Sequence, residues 1–428
     1  MPVWAPAGIL PAKASEAVMA RVFSGRLSPL RLTIAVVVGL VLIAVNGLFL
    51  IAERIPSSQA ERSIAMAPWR GAGFSDQALA LLSDPSAEVD VPQVRALAFR
   101  ALKTGPLDTG GYFAIARALA ASGQTAQGNA LMDASAAISR RDPNVQMYLT
   151  RRAAEQNDLN GVMKHLNIVL RTSRSGREVA FPILCGALTD ERSIKIVAAD
   201  MAANANWVEP FVDQCSGNAA TVGNLAQTLI EVPQIARSVQ DRVHVNILAN
   251  LVDQQKFALA GTYYTVVTRL SAGSSRSADR FERFETLPHF DWVPATDGAI
   301  YIDRLSKDGG LAVSTETSAI PLMERLLVLP PGRYSLTSSV SAIELPERAA
   351  LFWTVQCQNR DERLGTLDLR TQGKPTAIGF TVPAQGCPAQ QVRLRASGAG
   401  QAREITAEIP FIRIAAAQSG RSAGPGGD

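Results

Sequence analysis

The chain has 428 residues, 47% of them hydrophobic and 19% charged, enough for roughly two or three packed domains and too apolar for wholesale disorder. Its net charge of +4 is concentrated at the start, where residues 1–31 hold Lys13, Arg21, Arg26 and Arg31 against Glu16, a local +3. The remainder is close to neutral and carries no basic stripe with interleaved aromatics, so nucleic acid is excluded as an expected partner.

Residues 1–31, with Pro, Ala and scattered charge, read as a cytoplasmic tail. Leu32–Ala52 follows, 21 residues without a charge, about the length a helix needs to cross the hydrocarbon layer. Its Leu, Ile, Val and Phe side chains outweigh the single Asn46. The run is longer than a signal-peptide h-region and no small-x-small site follows it, so a retained anchor is expected. Basic residues before it face a balanced Glu53, Arg54, Glu61 and Arg62 after it. The positive-inside rule then keeps the N-terminus in the cytoplasm and sends the bulk of the chain across.

Residues 53–73 read as a linker, and 74–271 as helix throughout, with Ser75 or Asp76 available to cap a helix starting at Phe74. Tyr112, Ile115, Ala116, Leu119 and Ala120 form one apolar face. Gly123 breaks that helix, Arg141-Asp142-Pro143 stops the next, and Asn157-Asp158 breaks a third. Gly123 and Asn157 lie 34 residues apart, and a further register falls at Val89. Helix–turn–helix units of this length resemble the tetratricopeptide repeat, although the Trp-x-x-Leu-Gly-x-x-Tyr opening is absent. Val243–Leu251 and Gln255–Ala260 read as a further hairpin. Arg100, Arg117, Arg151 and Arg152 could line the groove of such a solenoid or stand as solvated surface.

Residues 272–284 begin in a Ser/Gly-rich stretch and read as a second linker. From 285 to 415 the period changes to 2. Strands are expected at 299–303, 325–329, 334–340, 351–357, 376–382, 391–395 and 404–409, with a turn at Pro330-Pro331-Gly332. The fold expected here is an all-β jelly-roll sandwich, ahead of a disordered tail at 416–428. Cys185 and Cys215 fall in the helical part, Cys357 and Cys387 in the β part. Two disulfides within domains suit an oxidising compartment, buried free thiols being the alternative.

No H-E-x-x-H, G-x-S-x-G, Walker loop or G-x-G-x-x-G appears, so no catalytic residue, metal ligand or cofactor site is assigned. His165, His244 and His289 read as packed or half-exposed residues. In the β part Trp292, Tyr301 and Tyr334 are the candidates for stacking on a glycan, with core packing as the bland reading. Tyr301 alternates against Ile300 and Ile302 and so faces the other side, whereas Trp353 shares a face with Val355 and Cys357 and reads as core. Asp291, Asp303 and Asp308 could serve a structural calcium.

The β part resembles a known family, the C-terminal sandwich domains of tetratricopeptide-repeat proteins that accompany bacterial exopolysaccharide assembly. The resemblance is carried by Phe290-Asp-Trp, Leu326-Leu-Val-Leu-Pro-Pro-Gly-Arg-Tyr-Ser-Leu, Phe352-Trp-Thr-Val-Gln-Cys, Phe380-Thr-Val-Pro, Cys387-Pro-Ala-Gln-Gln-Val-Arg-Leu and Ile409-Pro-Phe-Ile-Arg-Ile. It implies a carbohydrate-binding-module-like fold and a role in making, exporting or retaining a polysaccharide. With the anchor and charge bias read above, the expected protein is single-pass in the bacterial inner membrane with its bulk periplasmic. The resemblance also implies a non-catalytic scaffold that contacts a polysaccharide and the protein partners of a polysaccharide assembly machine. A polysaccharide-modifying enzyme and a general protein-interaction module are the competing expectations.

Overall fold

The computed structural model describes residues 29–83, 90–203, 205–270, 279–305, 309–317, 320–358, 360, 362–398 and 404–417. Most of the expected N-terminal tail, the register at Val89, the Ser/Gly-rich stretch at 271–278, Asp308 and the tail from 418 lie outside the described residues. The chain divides into two compact units, Met1–Tyr148 and Leu149–Asp428.

The first unit opens with α1 (Pro29–Arg54), one continuous helix that contains the whole of Leu32–Ala52. Among the described residues it is the one helix long and apolar enough to cross a membrane, with a mean hydropathy of 2.4 over Val36–Arg54. Its large side chains Ile34, Val36, Val37, Val38 and Val45 and those at 40–43 and 49–51 are exposed, so this helix does not pack in a core among the described residues. Asn46 donates to the Leu42 carbonyl at 2.8 Å, so its polar group is satisfied within the helix.

The expected linker at 53–73 is folded instead. A short 3₁₀ turn (Ser57–Gln59), α2 (Ala60–Met66) and the start of α3 (Gly71–Ser83) occupy it. Small residues make this possible: Ala52, Ala60, Ser63 and Ala67 are buried, and a Cβ on Gly73 would meet Ile64 at 3.0 Å. Ser75 is no cap but an interior residue of α3, its hydroxyl donating to the Ala72 carbonyl at 2.9 Å.

Asp90 and Asp108 cap α4 (Val91–Thr104) and α5 (Thr109–Ala121), accepting from Gln93 N at 3.0 Å and Gly110 N at 3.1 Å. After α6 (Thr125–Ile138), Asp142 takes the same role for α7 (Pro143–Glu155) and also accepts the Thr109 hydroxyl. Helix contacts in this unit are made with small residues, Ala78, Ala98, Ala114 and Ala118 forming most of the core beside Val94 and Ile115.

In the second unit, α8 (Leu159–Thr172) repeats α6, and α7 repeats α5, with every start and end displaced by 34 residues. Asn157 at φ 54° makes the α7–α8 turn, as Gly123 at φ 81° makes the α5–α6 turn. Then come α9 (Arg174–Ala187), α10 (Ser193–Ala203), α11 (Val208–Ser216), α12 (Val222–Glu231), α13 (Pro233–Ala236), α14 (Asp241–Asp253) and α15 (Phe257–Thr268). Helices α8, α10, α12 and α15 pack in one row, and α9, α11 and α14 in another. The Cys185–Cys215 disulfide ties α9 to α11 across a Cα separation of 5.8 Å. Amide side chains join successive hairpins: Asn167 donates to Asp200 at 3.2 Å, Asn224 to the Leu188 carbonyl at 2.6 Å and Gln254 to the Ala219 carbonyl at 2.8 Å.

The β part has twelve strands among the described residues: β1 (Val293–Pro294), β2 (Ile300–Arg304), β3 (Leu311–Thr315), β4 (Met323–Leu327), β5 (Gly332–Ser339) and β6 (Ala342–Glu344), then β7 (Ala350–Cys357), β8 (Arg363–Asp368), β9 (Thr376–Val382), β10 (Gln390–Ser397), β11 (Ile405–Ile409) and β12 (Phe411–Ala416). They form antiparallel sheets in the orders β1-β4-β10-β7-β8, β2-β3-β11-β6 and β12-β5-β9. Only Pro410 separates β11 from β12, and only Val340-Ser341 separates β5 from β6. The two smaller sheets are therefore joined through one strand pair that bends once, with Ser341 N donating to the Glu408 carbonyl at 2.9 Å in the bend.

Leu351, Trp353, Val355, Val392 and Leu394 of the five-stranded sheet pack against Leu336, Ile412, Val313 and Ile405 of the others. Trp353, Val355 and Cys357 share the buried face as expected, and Cys357–Cys387 is disulfide-bonded with its Cα atoms 5.1 Å apart. The sandwich starts earlier than 285. Asp279 bridges Ile412 and Phe281 is fully buried, so 279–284 belong to the core region and not to a linker.

The α14–α15 hairpin holds a buried polar pair, His244 Nδ1 and Tyr263 Oη at 2.7 Å. Burial lowers the His244 pKa, with the Asp241 charge opposing it. The unfolded imidazole takes its proton near 6.5, before the folded one does. The stability this group contributes is complete above that value and is lost as pH falls towards the depressed folded value. The urea midpoint, followed by tryptophan emission, is expected to be lower at about pH 5.5 than at about pH 7.5, and the difference to shrink in His244→Gln.

Candidate functional site

Two of the three aromatics expected on a glycan-facing surface are core residues. Trp292 is 2% exposed and packs against both Phe281 and Trp353, each at a ring separation of 5.4 Å, while those two rings stack on each other at 6.2 Å. Its indole N–H donates to Asp279 at 3.1 Å, and the Arg325 guanidinium lies 5.5 Å above its ring. Tyr334 is 6% exposed, stacks on Phe380 at 5.6 Å and donates its hydroxyl to the Pro330 carbonyl at 2.7 Å. It points inward with Leu336, the residue two positions on along β5. Neither ring offers a free face.

The segment around Trp292 joins the sandwich to the last helix. Asp291 is buried and accepts three hydrogen bonds, from Tyr264 Oη of α15 at 2.7 Å, Arg283 Nε at 2.9 Å and Leu287 N at 2.8 Å. Tyr264 also stacks on Phe290 at 5.1 Å. Burial pushes the Tyr264 hydroxyl well above its ordinary value, which keeps it a donor. Asp291 is thus a structural acceptor, its two oxygens engaged by three protein donors. Asp303 lies on β2, where it accepts the Tyr301 hydroxyl at 3.1 Å. Among the described residues no group of three or more His, Cys, Asp or Glu is arranged to hold a metal. Tyr264, Asp279, Arg283 and Arg325 were not singled out from sequence; the signal was a lone carboxylate inside the apolar run Phe290-Asp-Trp.

Tyr301 is where alternation puts it. It is 60% exposed on the outer face of β2-β3-β11-β6, while Ile300 and Ile302 pack on the core. The strand register places Tyr301, Ser314, Thr406 and Glu344 in one row across that face, and Asp303, Ala312, Glu408 and Ala342 in the next. The Ser314 hydroxyl donates to the Glu404 carboxylate, and Ser341 to Glu408 at 3.1 Å. Hydrogen bonding to Asp303 raises the Tyr301 pKa, so the phenol stays protonated at neutral pH. The face therefore combines one open ring with carboxylates and hydroxyls. Such a surface can stack on the apolar side of a sugar while accepting hydrogen bonds from its hydroxyls. In the helical part, Arg100 lies 4.4 Å over the Phe74 ring and Arg151 pairs with Glu155 at 3.1 Å.

No family model matches the sequence, and the curated proteins contain no significant match. Among solved structures, the carbohydrate-binding module TmCBM61 in complex with β-1,4-galactotriose is 14% identical, covering 33% of this chain and 100% of that one at a TM-score of 0.24. The CBM22-1 xylan-binding domain of Paenibacillus barcinonensis Xyn10C is 14% identical, covering 35% and 99% at 0.23. The C-terminal family 22 carbohydrate binding module of Clostridium thermocellum Xyn10B is also 14% identical, covering 35% and 99% at 0.24. These values concern about a third of the chain and carry no ligand or activity across to it.

Truncation should separate the rings. Trp292→Ala is expected to cost about 3–5 kcal/mol in urea unfolding, and Tyr301→Ala less than about 0.5 kcal/mol. Asp291→Ala, which strands three donors, is expected to cost about 2–4 kcal/mol by the same measurement.

Proposed function

We propose that this chain is a non-catalytic scaffold anchored in the bacterial inner membrane, serving exopolysaccharide synthesis or export. In this reading α1 is the anchor and the rest lies in the periplasm. The helical hairpins act as tetratricopeptide-type repeats that recruit protein partners, and the jelly-roll sandwich touches the glycan. The observation that carries the glycan contact is the open ring of Tyr301 on a polar sheet face. Support for the anchor comes from the lipid-like exposure of α1, and support for an oxidising compartment from the pairing of all four cysteines.

Chemically, the Tyr301 ring would supply stacking area, Asp303 would fix the orientation of its hydroxyl, and Glu344, Glu404 and Glu408 would accept from sugar hydroxyls or amines. The expected result is retardation of the full chain, in detergent, on gels containing one of a panel of neutral, acidic and amino polysaccharides. Tyr301→Ala should lose at least most of that retardation with an unchanged urea midpoint. No retardation with any polysaccharide would remove the glycan contact. New reducing ends released by the wild type would replace the scaffold with an enzyme.

A further inference from the structure

After α1 the chain turns back. Ala52 is buried, and the Ser63 hydroxyl donates to its carbonyl at 3.4 Å, which fastens α2 to the end of α1. Beyond α2, Arg70 N donates to the Ala67 carbonyl at 2.9 Å, closing a four-residue turn with Pro68 second and Trp69 third. The Arg70 guanidinium then lies 5.4 Å from the centre of the Phe49 ring. Phe49 precedes Ala52, the last residue of the apolar stretch, by three positions, about 4.5 Å along the helix axis. The Arg70 side chain therefore reaches back to the final apolar turn of α1.

What this turn presents is apolar. Trp69 is 47% exposed and Met66 37%, with Ala65 and Pro68 exposed beside them and Ala67 buried behind. Tryptophan next to arginine, level with the end of a spanning helix, suits the boundary between headgroups and acyl chains. There the indole is half in hydrocarbon and the guanidinium meets phosphate. We propose that Met66, Pro68, Trp69 and Arg70 form a second membrane contact, a lipid-surface wedge in the leaflet that α1 leaves. This rests on reading α1 as a membrane anchor. A lipid surface is the occupant because Arg70, the neighbour of the exposed Trp69, lies against Phe49 in the exposed apolar stretch of α1. Two attachments instead of one would restrain the first helical unit from swinging about a single helix exit.

Trp69 offers a direct test in the full chain, reconstituted in phosphatidylcholine–phosphatidylglycerol vesicles whose acyl chains are brominated close to the headgroup. Wild type should show a tryptophan component quenched by bromine and shielded from iodide in the water. Trp69→Phe, which leaves Trp4, Trp207, Trp292 and Trp353 in place, should lose that component while its urea midpoint stays unchanged. Equal bromine quenching of the two proteins overturns the wedge. So does iodide quenching of the Trp69 component, which would assign the patch to a protein partner. A chain that fails to float with the vesicles would overturn the anchor as well, and that outcome is distinct from a floating chain with an unquenched Trp69.

Discussion

The second unit is organised around one buried carboxylate. Asp291 has no contact with water, yet its charge is balanced by three donors that come from different parts of the fold: Tyr264 on the last helix, Arg283 on the entering strand-like segment and the backbone of Leu287. A charge taken out of water is tolerated only when its hydrogen bonds are complete. Each donor must therefore be in place before the others gain anything. The last helix is tied to the sandwich by the Tyr264–Asp291 bond together with the stacking of Tyr264 on Phe290. Asp279 repeats the device a short distance away, accepting from the Trp292 indole, Arg325 and the backbone of Phe281. The aromatic layer of Phe281, Trp292 and Trp353 lies beside these two carboxylates.

The helical parts rely on a different constraint. In the first unit alanine and glycine at the crossings let backbones approach closely, and the cost of that choice is little apolar area per contact. The helices of the second unit bury larger side chains, among them Leu166, Phe181, Trp207 and Phe211, and two further features fasten them. The Cys185–Cys215 disulfide ties helices from successive hairpins, and amide side chains reach across to the neighbouring hairpin's backbone or carboxylate. Both act at about one repeat length, so each hairpin is fastened to the next in the manner expected of a stacked array.

Much of this fold is legible in the sequence wherever local chemistry alone decides. Gly123, Asn157 and the Asp-Pro at 142–143 place turns because positive φ, side-chain capping and a missing N–H act within a few residues. Period-2 alternation locates seven strands and puts Tyr301 outside. The same alternation pairs Tyr334 with Leu336 and so already assigns it to the core; only its aromatic identity suggests otherwise. What stays hidden depends on distant partners. The segment 53–73 folds through Ala, Ser and Gly contacts that leave no apolar period. β8 is mostly exposed, and β12 follows a proline that usually ends a strand. Asp279 and Phe281 resemble linker because their partners stand at Trp292, Arg325 and Ile412.

A single open tyrosine is a weak binding element, worth about 0.5–1.5 kcal/mol of stacking beyond the hydrogen bonds around it. Stacking of that size alone corresponds to a Kd of roughly 0.1 M or weaker. On the proposed function that weakness is consistent with the rest of the molecule. A polymer offers the same sugar many times, and a tethered sandwich meets it at an effective concentration set by the tether instead of by bulk solution. Contacts that form and release quickly let a chain move past a fixed protein, whereas a deep apolar cleft would retain it. On the proposed function, the arrangement on β2-β3-β11-β6, one ring among carboxylates and hydroxyls, would suit transient contact with a passing glycan.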